Sequence, residues 1–374
     1  MSTARKILLA LVGIGLGAVI YRFVYGLGAA TNLSDKFPFG IWIAFDVMVG
    51  VPLAAGGFTI ALVVYVLNLK RYRPLVRPAI VTAFIGYLLA ASAIFVDIGQ
   101  PQRIWHPIFF WNLHSPMFEV AACVITYLTV LALEFSPMFF ESRRWERALR
   151  VVRGLMIPMV VLGIILSTMH QSSLGSLLLM TAGRLHPLWY TPWLPVFFLM
   201  SAVATGLAMV TVEAQISARA HGRGIEMPLL SSIAKGTWWV LAVLFAARMT
   251  DLWYGGRLGY VLEGSPESIM FLFEMALGFV VPLFLLAMKG IRRSADGLLF
   301  AQAFVLVGTI FNRFNSAMIG MASDLGGRYF PSVVELLVTV GFVATGALLY
   351  ALAVDHLPVF VHAARDETGA HAAD

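Results

Sequence analysis

The chain has 374 residues, of which 60% are hydrophobic and 12% charged, too little polar surface to clothe a water-soluble globule of this size. That balance indicates an integral membrane protein and excludes a soluble enzyme. The formal charge of +6 would suit nucleic acid, but the basic residues lie in short loops between apolar runs, where they report topology, so membrane lipid is the expected surroundings and nucleic acid is not a partner.

A membrane span needs about 20 apolar residues, and ten stretches qualify: 7–27, 39–68, 76–97, 115–137, 153–181, 191–215, 231–254, 268–289, 296–321 and 331–355. The first follows Arg5 and Lys6 without a clear A-x-A site, and is read as a retained span, with a cleaved signal peptide as the alternative. Lys and Arg then give the orientation. One set of loops carries 18 of them, from Arg5 and Lys6 through the 70–77, 143–153, 219–235 and 289–293 segments to Arg365; the alternate set holds only Lys36, Arg103, Arg184, Arg257 and Arg328. Both termini are therefore expected on the cytoplasmic side. Residues 358–374 form a polar tail without apolar periodicity.

Residues about 150 apart repeat weakly, in one order. SPMFEVA (115–121) is like SIMFLFEMA (268–276), pairing Glu119 with Glu274; Asp97 pairs with Asp251, AAGGFTIAL (54–62) with VATGLAMV (203–210), and His170 falls near Arg313. The fold expected is an all-α membrane protein of ten spans, with two parallel four-helix bundles, spans 2–5 (39–181) and 6–9 (191–321). Residues 1–38 supply the first span and an outer loop, and 331–357 supply the tenth span. Such a repeat has the same orientation in both copies, unlike inverted transporter repeats.

At about 1.5 Å rise per residue, His170, Asp46, Glu119, Glu274, Arg248, Asp251, Asn312, Arg313 and Asn315 all fall in the outer third of the membrane. Ionisable groups there are costly unless they meet partners inside a bundle, which makes them functional candidates. The plainer alternatives are carboxylates that neutralise Arg248 and Arg313 in buried pairs and a His170 that is simply hydrogen-bonded. Gly56, Gly57, Gly175 and Gly206 read as close-packing positions. Tyr87 reads as packing or as a proton relay. Glu134 and Glu213 read as solvated at the inner ends, Glu213 being also a candidate terminus of a proton path.

A b-type haem needs facing histidines, and among the eight histidines only His170 lies inside a span. Cys123, the single cysteine, lies in an apolar run, so disulfides and Cys-ligated zinc or iron-sulfur centres are excluded. No haem, cluster or other metal site is expected in this chain, and any redox metal belongs to a partner. A quinone, by contrast, needs an apolar slot, donors for its carbonyl oxygens and a proton source. His170, Gln171, Ser172 and Ser173 are candidate donors. Asp46 and Glu119 are candidate carriers of protons and lie in the same proposed site. A path inward would use Tyr87 and end at Arg77 or Glu213. Arg248, Asp251, Glu274, Asn312 and Arg313 form a second-bundle polar cluster. The loops 98–114, 182–190 and 252–267 are the platform for an electron-donating partner. Two rivals remain, a proton or ion transporter and a purely structural anchor for a periplasmic redox enzyme.

The segments GLGAATNLSDKFPFGIWIAFDVMVG (26–50), AAGGF (54–58), YRPLVRPA (72–79), FIGYLLAAS (84–92), MFEVAACV (117–124), LALEFSP (131–137), STMHQSSLGSL (167–177), HPLW (186–189) and FPSVVELLVTVGFVA (330–344) resemble the NrfD and polysulfide-reductase family. The resemblance is strongest to the HybB-type quinone-reactive subunit of nickel-iron hydrogenases. It implies two four-helix bundles and menaquinone or ubiquinone bound near the outer surface without haem. It also implies a periplasmic four-cluster, ferredoxin-like iron-sulfur partner with a catalytic or multihaem electron-donor subunit. The matching functional positions are Asp46, Arg77, Tyr87, Glu119, His170 and Glu213. DIGQP and RIWHP in the 97–116 connector resemble members attached to other periplasmic redox modules.

Overall fold

The computed structural model describes residues 3–360 apart from 36, 38, 181, 182, 223 and 322–328. Lys36, Arg223, Arg328, Arg365, the first residue of the 182–190 loop and the tail from 361 onward lie outside the described residues. Ten helices are long and apolar enough to cross a membrane: α1 (Thr3–Tyr25), α2 (Trp42–Val66), α3 (Lys70–Asp97), α4 (Pro116–Arg143), α5 (Glu146–Leu179), α6 (Leu194–Ala220), α7 (Met227–Tyr254), α8 (Pro266–Ala287), α9 (Ala295–Ile319) and α10 (Val333–His356). The chain is a multi-pass membrane protein. Helix is what lipid demands, since every N–H and C=O must be bonded within its own segment. Among the described residues the only extended pairing is an isolated bridge between Ser34 and Phe37.

The ends follow local rules. Ser115, Ser265, Ser294 and Ser332 accept the N–H three residues on at the starts of α4, α8, α9 and α10. Ser332 and Glu335 form a reciprocal capping box. α5 has 34 residues, about 50 Å at the helical rise, so its first turns, carrying Arg147, Arg150 and Arg153, project beyond a core of about 30 Å.

α2, α8 and α9 are interrupted by wider π turns at Trp42–Val47, Leu62–Val66, Ala276–Val280 and Asn315–Ile319. α2 also breaks at Met48 and Val49, and that break has a traceable cause and remedy. Pro52 lacks an N–H, so the carbonyl of Met48 is left without its intrahelical donor, and Arg313 Nε donates to it at 3.2 Å. A side chain of α9 thereby completes the backbone of α2.

α2 packs on α3, α3 on α4, α4 on α5, and α5 returns to α2; α6 packs on α7, α7 on α8, α8 on α9, and α9 returns to α6. α6 also lies against α2 and α5, α1 pairs with α10, and α10 rests on α3. The closest crossing between the two sets needs glycine, because a Cβ on Gly206 would come within 2.6 Å of Gly56 N. The expected tail begins later than residue 358. Val359 is buried and Pro358 accepts from Arg77 Nη1 at 2.9 Å, so these residues dock on the end of α3.

Candidate functional site

The first polar centre lies where α3, α4 and α5 face one another. Tyr87 from α3 meets Tyr127 from α4 edge-on at 4.6 Å between ring centroids and His170 from α5 at 5.5 Å. His170 is fully buried, and among the described residues neither of its ring nitrogens has a hydrogen-bond partner; the Tyr87 hydroxyl also lacks one. Ser167, one turn before His170, sits beside both phenols without a well-aligned bond to either. Gln171 donates to the Val51 carbonyl at 3.2 Å, leaving its own carbonyl oxygen open.

This centre continues along α4. Glu134 is 7% exposed, and a Cβ on Gly163 of α5 would lie 3.2 Å from its Oε1 and 3.4 Å from the Tyr127 ring. The expectation of a solvated Glu134 is therefore corrected, because the bare surface of Gly163 lets the carboxylate pack between α4 and α5. Glu213 is corrected in the same way. It is 7% exposed, accepts from Thr82 of α3 and lies beside Tyr350 of α10. Ser172 and Ser173 are not free donors either. Their hydroxyls bond back to Thr168 and Met169 carbonyls of their own helix at 2.8–3.0 Å.

The outer carboxylates point elsewhere. Asp46 accepts from Thr339 of α10 at 2.7 Å, and Glu119 is half-buried one turn from Cys123. Neither touches His170. Between α1, α3 and α10, Arg22 donates to the carbonyls of Val96 at 2.6 Å and Ile98 at 2.7 Å beside Asp97. Glu335 collects Asn32 N, Ser332 N and the Tyr329 hydroxyl. Burial, reinforced by that carboxylate, pushes the Tyr329 phenol above its ordinary range and keeps it a donor. Arg77 is tied to Glu141, which also binds Arg153. The connector 98–114 exposes Trp105, Phe109, Phe110, Trp111 and Leu113.

The second centre lies among α6–α9 and is closely bonded. Glu274 receives Trp189 Nε1 at 2.9 Å, Asn312 Nδ2 at 2.7 Å and Asn315 Nδ2 at 2.9 Å. Arg313 donates to Asn312, Ser201 and the carbonyls of Met48 and Phe198, with its guanidinium 3.5 Å from the Phe198 ring centroid. Arg248 donates to the Leu188 carbonyl at 2.8 Å. Asp251 pairs with Arg257 at 2.8 Å, not with Arg248.

Sequence reasoning did not single out Tyr127, Arg22 or Glu335, named Ser167 only as the start of the 167–177 stretch, and took Trp189 for part of an aromatic belt. A signal for the first existed: Glu119, Tyr127 and Glu134 are spaced by eight and seven residues, which places them on one helix face. Ser167 and His170 likewise share a face with Gly163. Among the described residues His170 is the one buried histidine, and no group of three or more His, Cys, Asp or Glu is placed to hold a metal.

A family model described as polysulphide reductase, NrfD, matches residues 29–321. The chain is 34% identical over 363 residues to the probable Ni/Fe-hydrogenase 2 b-type cytochrome subunit of Escherichia coli, spanning 95% of this chain and 92% of that one. It is 29% identical over 380 residues to the integral membrane subunit of menaquinone reductase from Nitratidesulfovibrio vulgaris, spanning 93% and 89%. A further relative, 23% identical over 389 residues, is the integral membrane subunit of an Hdr-like menaquinol oxidoreductase from Archaeoglobus fulgidus, spanning 93% and 91%.

Proposed function

The chain belongs to the NrfD, polysulphide-reductase family, and from that premise we propose that it is the haem-free, quinone-reactive membrane subunit of a multi-subunit respiratory oxidoreductase. The observation that carries this reading is the pair of unbonded imidazole nitrogens of His170 beside the unbonded Tyr87 phenol, all without solvent exposure. Buried polar groups left open cost on the order of 1–3 kcal/mol each, and such sets are kept where a ligand, a water or a moving proton completes them. A quinone gains two electrons and two protons on becoming quinol. A neutral imidazole offers one N–H and one lone pair, and the phenol offers an O–H, so the set can give a proton at a carbonyl oxygen and take another from behind. The names of the menaquinone reductase and menaquinol oxidoreductase relatives support quinone as the substrate. The cytochrome name of another relative is not carried over, because one buried histidine cannot make a facing pair.

In this reading α2–α5 and α6–α9 are two four-helix bundles of the same orientation, flanked by α1 and α10, with both termini cytoplasmic in a bacterial inner membrane. Electrons arrive from a periplasmic iron-sulfur partner seated on the connector 98–114 and the loop 252–267. Asp46 and Glu119 handle protons at the outer ends of α2 and α4, without contact to His170. Protons reach the centre from within along Glu134, Tyr127, Ser167 and Tyr87. Glu213 and Arg77 lie off that line, one against Thr82 and α10, the other tied to Glu141.

A second reading, proton movement through the first bundle, is favoured by one observation. Glu119 and Glu134 lie on the same helix, 15 residues or about 22 Å apart, with Tyr127 between them, so the polar lining does not stop at the outer third.

The test uses the purified complex with His170→Ala. Quinone-linked turnover should fall at least about a hundredfold, with the subunits still associated and electron transfer to a soluble dye unchanged. Wild-type quinone kinetics in that variant would remove His170 from the site.

A further inference from the structure

The second set of helices holds a cavity that the quinone reading leaves unused. It lies among α6, α7, α8 and α9, lined by Phe197, Phe279 and Val305 and by the polar side chains of Arg248, Glu274 and Asn312. Its volume is about 40 Å³, where one water needs roughly 10–15 Å³ and an engineered cavity that binds benzene measures about 150 Å³. A few waters or one monatomic ion fit, and a quinone ring does not.

The charges around it do not balance. Three guanidinium groups, Arg248, Arg257 and Arg313, stand with two carboxylates, Asp251 and Glu274. Asp251 is paired with Arg257 at 2.8 Å. Glu274 has both oxygens committed to Trp189, Asn312 and Asn315. Among the described residues neither Arg248 nor Arg313 has an ion-pair partner, although they are only 4% and 1% exposed. One positive charge is thus left over in a medium where an uncompensated ion is expensive.

The donors single out one of the two arginines. Arg313 spends its N–H groups on Met48, Phe198, Ser201 and Asn312. Among the described residues Arg248 makes one hydrogen bond, to Leu188 O, stands over the rings of Phe197 and Phe271 at 5.6 and 5.9 Å from their centroids, and is one of the residues that line the cavity. Ser201 and Thr309, also in the wall, have their hydroxyls engaged elsewhere, Ser201 with the Phe198 carbonyl at 2.9 Å and Thr309 with the Val305 carbonyl at 3.1 Å and the Thr205 hydroxyl at 2.6 Å. Arg248, and not Arg313, is among the residues that line the cavity, and it is the arginine with N–H groups left to give.

We propose that this cavity binds one small monovalent inorganic anion of halide size, held by Arg248, which closes the charge balance of the second bundle. The site is separate from the His170 centre, and its test does not involve quinone. In the detergent-purified complex, the unfolding midpoint is read while chloride or bromide replaces gluconate at constant ionic strength. A saturable rise of a few degrees is expected, of the size that binding to the native state alone produces. The rise should vanish in Arg248→Gln and in Ala204→Leu, which fills the cavity without touching a charge. Crystals of the wild-type complex grown in bromide supply a readout that needs no variant, an anomalous peak beside Arg248. Equal midpoints in gluconate and halide, or a bromide map with no peak in the cavity, would overturn the proposal and leave the space to water.

Discussion

His170 and Glu274 each anchor a buried polar centre, one among α3–α5 and the other among α6–α9, and the two centres are finished to very different degrees. Glu274 accepts three N–H donors and Arg313 is bonded on nearly every side. Among the described residues the His170 ring nitrogens and the Tyr87 hydroxyl have no hydrogen-bond partner. One set of four helices thus carries a completed network and the other an incomplete one. A completed network fixes one packing, and change there is read as lost stability. An incomplete set pays for its openness in stability, and change there is read as altered chemistry. The contrast also explains why depth alone was a poor guide to function, since both centres were expected at the same level.

The largest effect should come from breaking the completed centre. Glu274→Leu removes a carboxylate that attracts both Arg248 and Arg313 and strands the three N–H donors of Trp189, Asn312 and Asn315, at about 1–3 kcal/mol for each stranded donor. Loss of folded protein during detergent extraction is expected, or a sharply lower unfolding midpoint. A variant as stable as wild type would mean that the two arginines are balanced by something other than Glu274.

The open centre should answer in the opposite sense. Tyr87→Phe removes a hydroxyl that has no partner, so stability should hold or rise slightly, while quinone-linked turnover drops about a hundredfold if the phenol passes protons to His170. Both readouts come from one preparation, by thermal unfolding and by quinone reduction. A fall in stability with intact turnover would make Tyr87 a packing residue. Glu134→Gln keeps the shape beside Gly163 and Tyr127 but ends proton carriage. About a tenfold loss of turnover is expected, without a change in quinone affinity. If that variant reduces quinone at the wild-type rate, protons reach the centre by another route.

How much of this was legible in the chain depends on which coordinate is asked for. The ten spans and their caps follow from local rules: an apolar run long enough for the bilayer, or a serine before a helix. Depth is also local, because it is residue count times helical rise. The angle at which a side chain leaves its helix, relative to a neighbour, is not local. Asp46 and His170 were grouped by depth, yet the rotation of α2 turns Asp46 toward Thr339 of α10. Glu134 was assigned to water by its place near a span end, and only the packing of Gly163 across from it makes it buried. The partner of the carbonyl freed by Pro52 is a guanidinium 265 residues further on, which no periodicity contains.

The smallest predicted effect separates the outer carboxylate from the inner centre most cleanly. Thr339→Val removes the hydroxyl that Asp46 accepts from and keeps the side-chain shape. The loss is one hydrogen bond to a buried group, about 1 kcal/mol, and a drop of roughly 1 °C in the midpoint for a chain of this size. α10 lies outside the first group of four helices, so if Asp46 acts through that bond, the variant should change quinone turnover as well as stability. If Asp46 only ties α2 to α10, turnover stays constant while the midpoint falls. That second outcome would confine the quinone chemistry to the α3–α5 face built by Tyr87, Tyr127 and His170, and leave Asp46 as the clasp that holds α10 against it.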